Sequence, residues 1–388
     1  MLIKKKEIAL LLIFLSLVVT NLFAENYYFK RYDKENGLSQ QTVFCAVQDR
    51  RGFLWFGTKV GLNRFDGTKF KNYVADPEQP NSLPNNTVLA LAEAPDGSLW
   101  LGTSDGLCIY NPEKDTFAPF VSADLTIEGL IDNLVFDKQG NLWVINSKGI
   151  YCLDVKNGNH KFFSASDFFV PTGITVTQSG SVWVLGLDGN IYLFNPQRME
   201  FSFYPILTKE EKTKHILLYR ILECSNGDLV VTTDRIGARR FSPNNGEVKV
   251  LFSNDSQNNP IYIHTAIQRN KDEFWFGTES GIHIYQLDLG FIDHLQKSYN
   301  DAYSLSDNAV HMLLKDREEG IWVGTFFGGV NYLSNNNTLF DKYLPKDEKG
   351  SIKANVIREI HPDVEGNLWV GTGIGSCSYH YLLQRRCT

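Results

Sequence analysis

Arg51-Gly52-Phe53-Leu54-Trp55-Phe56-Gly57-Thr58 returns as Asp96-Gly97-Ser98-Leu99-Trp100-Leu101-Gly102-Thr103, and again as Glu319-Gly320-Ile321-Trp322-Val323-Gly324-Thr325. Every tryptophan of the chain (Trp55, Trp100, Trp143, Trp183, Trp275, Trp322 and Trp369) stands in this phrase. The wide gap between Trp183 and Trp275 holds one more copy, Gly227-Asp228-Leu229-Val230-Val231-Thr232-Thr233, with Val230 in the tryptophan's place. With it the intervals are 45, 43, 40, 47, 45, 47 and 47 residues, so eight units of one supersecondary structure fill nearly the whole 388-residue chain. A period in the forties predicts the four-stranded blades of an all-β propeller.

Each unit reads as four strands. An apolar run such as Thr42-Val43-Phe44-Cys45-Ala46-Val47-Gln48 is followed by a glycine turn and the tryptophan strand. A second glycine turn, Lys59-Val60-Gly61, opens Leu62-Asn63-Arg64-Phe65, and an aromatic stretch, Phe70-Lys71-Asn72-Tyr73, closes the unit. Successive strand residues point to opposite faces, so Leu99, Trp100 and Leu101 are all apolar only if both faces are covered, as in a blade between two blades. The tryptophans are therefore read as packing residues. Phe29-Lys30-Arg31-Tyr32 fits the fourth-strand slot with no preceding strands, as an outer strand that closes a ring would. Phe340-Asp341-Lys342-Tyr343 fits the same slot before the eighth unit. Strand counting leaves two closures: seven blades, with the eighth repeat starting another propeller, or one eight-bladed ring.

The N-terminal 24 residues read as an export signal. Lys4, Lys5 and Lys6 lead into an apolar run from Ile8 to Val19, too short to span a bilayer, and then to Ala24. No later stretch resembles a membrane span. The net charge of −6, which becomes −8 without residues 1–24, excludes the basic footprint of a nucleic-acid binder. Six widely spaced cysteines, Cys45, Cys108, Cys152, Cys224, Cys377 and Cys387, form no disulfide framework and read as buried thiols. The eight histidines are scattered, so no metal site and no cofactor is expected.

The phrase D-x-x-G-x-L-W-x-G-T-x-x-G-L-x-x-Y, kept in Asp363-Val364-Glu365-Gly366-Asn367-Leu368-Trp369-Val370-Gly371-Thr372, resembles the two-component regulator propeller repeat. The resemblance spans about residues 26–375, and it weakens in the third, fourth and fifth units. It implies the periplasmic sensor half of a hybrid two-component histidine kinase, dimeric at full length, with an oligosaccharide as ligand. That family carries two seven-bladed propellers before its membrane helix and kinase. The resemblance thus implies a truncated chain: a signal peptide at 1–24, a seven-bladed propeller at 25–336, and a second propeller beginning at 337–388.

Ligands of propellers are expected on variable loops. The connections between second and third strands offer Lys59, Asp105 beside Ser104, Lys148, Asp188, Arg235 beside Asp234, Glu279 beside Ser280, and the pair Phe326 and Phe327. Charged groups and hydroxyls there suit hydrogen bonding to a sugar, and the phenylalanines suit stacking on a pyranose face. No catalytic constellation stands out: Gly371-Thr372-Gly373-Ile374-Gly375 is the repeat's own turn. The chain is therefore read as a non-enzyme. A propeller lyase or glycoside-acting enzyme and a protein-protein platform are the alternatives.

Overall fold

The computed structural model describes residues 27–122, 124–255, 258–287 and 289–335, together with 345, 352, 354, 356–364, 368–373 and 377–380. The expected leader at 1–24, Cys387 and the slot at Phe340 lie outside the described residues. Seven four-stranded antiparallel sheets form the blades of one ring, and the seven-bladed closure is the one the chain adopts. The first blade runs Val43–Gln48, Leu54–Thr58, Gly61–Phe65 and Phe70–Tyr73. The seventh contains Val310–Lys315, Ile321–Thr325 and Val330–Leu333, and its outer strand is Lys30–Tyr32 from the N-terminus. That strand pairs Lys30 with Tyr332, Arg31 with Asn331 and Tyr32 with Val330. The ring thus closes with a strand drawn from the other end of the chain, which leaves no weak seam.

Burial follows the two-faced logic of the repeat. All five residues of Leu54–Thr58 are buried. Leu54 and Phe56 pack toward the seventh blade and Trp55 toward the second. The interior divides into seven apolar clusters, one between each pair of neighbouring blades. At the closing interface Trp322 stacks against Tyr32 and meets Phe56 and Phe65 of the first blade at ring distances of 5.5 and 5.6 Å. Val230, in place of the missing tryptophan, is buried between the fifth and sixth blades.

Two polar devices recur. The turn aspartate six residues before the tryptophan takes two backbone N–H groups of its own turn and the indole N–H. Asp49 accepts from Trp55 at 2.9 Å, Asp137 from Trp143 at 2.9 Å and Asp316 from Trp322 at 2.8 Å. On the same face, the last residue of a first strand accepts an N–H from the preceding blade's turn. Glu93 takes Arg50, Glu223 takes Gln178, Gln268 takes Ser225, and Gln48 takes Arg317 across the closure. The repeat's Gly-Thr has separate reasons for each residue. A Cβ on Gly102 would lie 2.4 Å from the carbonyl oxygen of Ile131 in the next blade, so the glycine lets two blades approach.

Among the described residues helix is nearly absent. A short α1, Lys209–Thr213, is capped by Thr208 and Glu211, and Glu211 pairs at 2.8 Å with the buried Arg239. Cys45, Cys108, Cys152 and Cys224 are free thiols. Among the described residues no helix is long and apolar enough to cross a membrane. Outside the ring, Ile357–Pro362, Leu368–Thr372 and Cys377–His380 form a three-stranded sheet in which Trp369 is 43% exposed, unlike the six buried tryptophans of the ring.

Candidate functional site

The hairpin between second and third strands is built by the threonine of Gly-Thr. Thr58 Oγ donates to the Gly61 carbonyl at 2.8 Å and accepts the Val60 N–H. Thr103, Thr278 and Thr325 repeat the bond to Gly106, Gly281 and Gly329. Gly106 has φ +90°, which a side chain would strain. In the degenerate fifth unit Thr233 still holds Gly237, so the turn survives there.

Opposite this hairpin the first strand of every blade but the third carries a β-bulge, which breaks the ladder between Val43 and Cys45, Val88 and Ala90, Pro171 and Gly173, Leu218 and Ile221, Ile263 and Thr265, and Val310 and Met312. A bulge leaves one residue unpaired and re-aims it. Here the freed residues are Phe44, Leu89, Thr172, Tyr219 with Arg220, His264 and His311, with Asp132 at the equivalent place in the third unit. Of these, Phe44, Leu89, Asp132, Arg220 and His311 line an axial cavity of about 200 Å³. Arg220 reaches across this axis: its guanidinium donates to Asn133 Oδ1 at 3.1 Å and to the His264 carbonyl at 3.2 Å.

Between the fifth and seventh blades these residues make an arc of rings. Tyr219 lies 5.6 Å from His264, His264 stacks on His311 at 4.2 Å, His311 lies 5.2 Å from Phe326, and Phe326 lies 4.7 Å from Phe327. Glu279 stands over the two histidines, with Oε1 2.6 Å from His264 Nε2 and 3.7 Å from His311 Nε2. Burial, aided by the neighbouring His264, pushes His311 down to about 4 against the opposite pull of Glu279 and Asp307, so its imidazole is neutral at neutral pH. Phe327 is 69% exposed, and its backbone N–H is held by Asp307 at 3.0 Å.

Glu279, Phe326 and Phe327, singled out from the sequence, are thus brought together through His311. Lys59, Asp105, Lys148, Asp188 and Arg235 sit on the equivalent hairpins of the first five blades. Asp188 is engaged by Tyr192 at 2.7 Å, Arg235 by Asp234 and the His215 carbonyl, and Lys148 faces Glu128 at 3.8 Å. The histidines were missed because they are scattered in sequence. Their separation of 47 residues, one repeat period, is the signal that could have found them: each stands eleven residues before its tryptophan. His264, Glu279 and His311 are brought together here, with ligand atoms within 4.8 Å of one another, a juxtaposition that their scattered places in the sequence do not suggest.

Comparison with known proteins bears on this architecture. The two-component regulator propeller profile matches residues 37–59, 82–105 and 304–327, each running from before a first strand to the second hairpin. Over 53 residues, 14% of this chain and 4% of the relative, the sequence is 49% identical to histidine kinase P4 of Formosa agariphila. The extracellular domain assigned to a hybrid two-component system, BT3049, of B. thetaiotaomicron superposes with TM-score 0.68 at 24% identity, covering 92% of this chain and 54% of that one. Virginiamycin B lyase of Staphylococcus aureus superposes with TM-score 0.62 at 12% identity, over 80% of this chain and 99% of the lyase. The chain therefore spans about half the length of the sensor domain it matches and a small part of the kinase. The chain is a seven-bladed propeller, and three of its repeats match the two-component regulator propeller profile.

Proposed function

We propose that this propeller is the exported, periplasmic sensor part of a hybrid two-component system, and that it binds an oligosaccharide over the arc formed by Tyr219, His264, His311, Phe326 and Phe327. The observation that carries the reading is the arc itself. It is a run of rings on one side of the disc, packed face and edge on one another, ending in an exposed phenylalanine and flanked by the carboxylate of Glu279. Pyranose rings offer C–H faces to aromatic planes and hydroxyls to a carboxylate, which matches that pairing of groups. The solved relatives from two-component systems support the sensor assignment, and the sheet at Ile357–His380 is read as the start of a second propeller. Signalling follows by linkage: a glycan that binds one arrangement of a dimeric receptor more tightly shifts its population toward that arrangement.

Calorimetric titration of polysaccharide fragments into the intact chain, with chromatography of the mixture afterwards, tests the proposal. Saturable binding of a fragment recovered uncleaved is expected. Absence of binding across neutral and acidic glycans overturns it. A cleaved fragment moves the assignment to a lyase or glycoside-acting enzyme, the second reading, which the placement of two histidines beside Glu279 favours.

A further inference from the structure

We infer that His264, Glu279 and His311 form a binding site for one divalent transition-metal ion of the zinc class. The donors come from three separate segments: the bulge of the sixth blade, that blade's second hairpin, and the bulge of the seventh. Their ligand atoms already lie within 4.8 Å of one another, and Glu279 Oε1 is 2.6 and 3.7 Å from the two Nε2 atoms. Zinc bound by imidazole nitrogen and carboxylate oxygen at ~2.0–2.2 Å requires donors ~3.3–3.5 Å apart, so Glu279 Oε1 draws back from His264 Nε2 by about an ångström while the wider separations close. Glu279 is on an exposed hairpin with its side chain half-exposed, so it swings away from His264 without disturbing the blade core.

The electrostatic setting agrees. Two imidazole nitrogens and one carboxylate suit zinc, cobalt(II) or nickel(II), whereas magnesium and calcium prefer all-oxygen shells. The nearby cation, Arg220, is turned to Asn133 and the His264 carbonyl, and Asp307 adds a second negative charge beside His311. His264 Nδ1 is buried without a hydrogen-bond partner, which leaves Nε2, on Glu279, as the anchored nitrogen of that ring. Three protein donors leave at least one coordination position open, beside Phe326 and the cavity mouth. This inference concerns the metal alone and holds whether or not a glycan binds.

Isothermal titration of zinc chloride into the EDTA-treated, dialysed full chain tests it, with cobalt(II) as a spectroscopic probe. One equivalent per chain and visible cobalt ligand-field bands displaced by zinc are expected, with no heat from magnesium. His264→Ala and His311→Ala abolish the bands, Glu279→Gln weakens binding at least ~10-fold, and His283→Ala, in the neighbouring stacked pair with His294, leaves binding unchanged. If either alanine variant fails to fold, Glu279→Gln decides, because its side chain is half-exposed. Less than one equivalent on the unmodified chain, binding unchanged in Glu279→Gln, or loss on His283→Ala overturns the assignment.

Discussion

Replacing Asp316 by Ala removes three bonds at once. Its Oδ1 accepts the N–H groups of Glu318 at 3.0 Å and Gly320 at 2.7 Å, and its Oδ2 accepts the Trp322 indole N–H at 2.8 Å. Trp322 is 3% exposed at the closing interface, so no water replaces the lost acceptor and its donor is left buried and unpaired, at a cost of ~1–3 kcal/mol. The turn bonds to a charged acceptor add ~1.5 kcal/mol each, partly recovered by water at the exposed Glu318. The expected loss is therefore ~3–5 kcal/mol, a large part of a typical net stability of ~5–15 kcal/mol. Asp316→Asn keeps one acceptor oxygen and turns an amide N–H₂ on either the turn or the indole, so it falls between. Guanidinium unfolding followed by tryptophan fluorescence and circular dichroism measures each variant, and Trp322→Phe completes a double-mutant cycle. The cycle is expected to show ~1–3 kcal/mol of coupling. A loss below ~0.5 kcal/mol for Asp316→Ala, or strict additivity, refutes the clamp. Ala94, six residues before Trp100, shows that a blade forms without this carboxylate, so the prediction concerns stability and not the existence of the fold.

Glycines of the repeat separate by cause. Gly102→Ala drives a Cβ to 2.4 Å from a backbone oxygen of the next blade and is expected to cost ~2–3 kcal/mol or prevent folding, whereas Gly227→Ala, at φ +83° with open space around it, costs only ~1–2 kcal/mol of backbone strain; equal unfolding midpoints contradict this. Burial pushes both His311 and His283 down from 6.5 to about 4, so the unfolded chain takes up protons first as pH falls. Stability is thus expected to be full above pH 6.5 and to decline toward pH 4, by up to ~3 kcal/mol for each histidine. Asp115 does not blur that window: burial alone raises it, but hydrogen bonds from Lys71, Tyr73 and Tyr110 hold it at about 2, so its contribution is lost only at lower pH. Thermal melts in EDTA from pH 7 to 4.5 test this, and a flat profile, or one unchanged by His311→Gln, counts against it. Arg31 donates to the Ser304 carbonyl at 2.8 Å and to the Leu305 and Asp301 carbonyls, which locks the closing strand. Arg31→Ala is expected to release that strand to limited proteolysis several-fold faster, and an unchanged digestion rate argues against the lock.

How far the residues disclosed this structure depends on whether the signal was local. Leu54-Trp55-Phe56-Gly57-Thr58 announces a strand buried on both faces, and the structure places Trp55 and Phe56 in different interfaces. Phe29-Lys30-Arg31-Tyr32 was legible as an orphan outer strand because its three missing partners are countable, although choosing between seven and eight blades required the hydrogen-bonded pairing with Val330–Leu333. The site was less legible. Glu279, Phe326 and Phe327 were found by their place after Gly-Thr, yet nothing in a linear reading marks His264 or His311, which lie 47 residues apart and meet only because successive blades are rotated about one axis. The bulge that turns them toward the mouth arises where the ladder beside Gly-Thr skips a residue, a feature of pairing and not of composition. Asp188 illustrates the converse: its loop position suggested an exposed ligand contact, but Tyr192 and Asn190 already engage its carboxylate.

Hydrogen–deuterium exchange of the intact chain, with and without a saturating oligosaccharide, tests the central claim most directly, because it reports which side of the disc the ligand covers. Protection is predicted in the peptides holding Tyr219, His264, Glu279, His311 and Phe326 to Gly329, and nowhere among the turns on the opposite face. Protection confined to those turns, around Asp49, Asp137 and Asp316, contradicts it, as does a bound glycan that leaves the aromatic arc exchanging at its free rate.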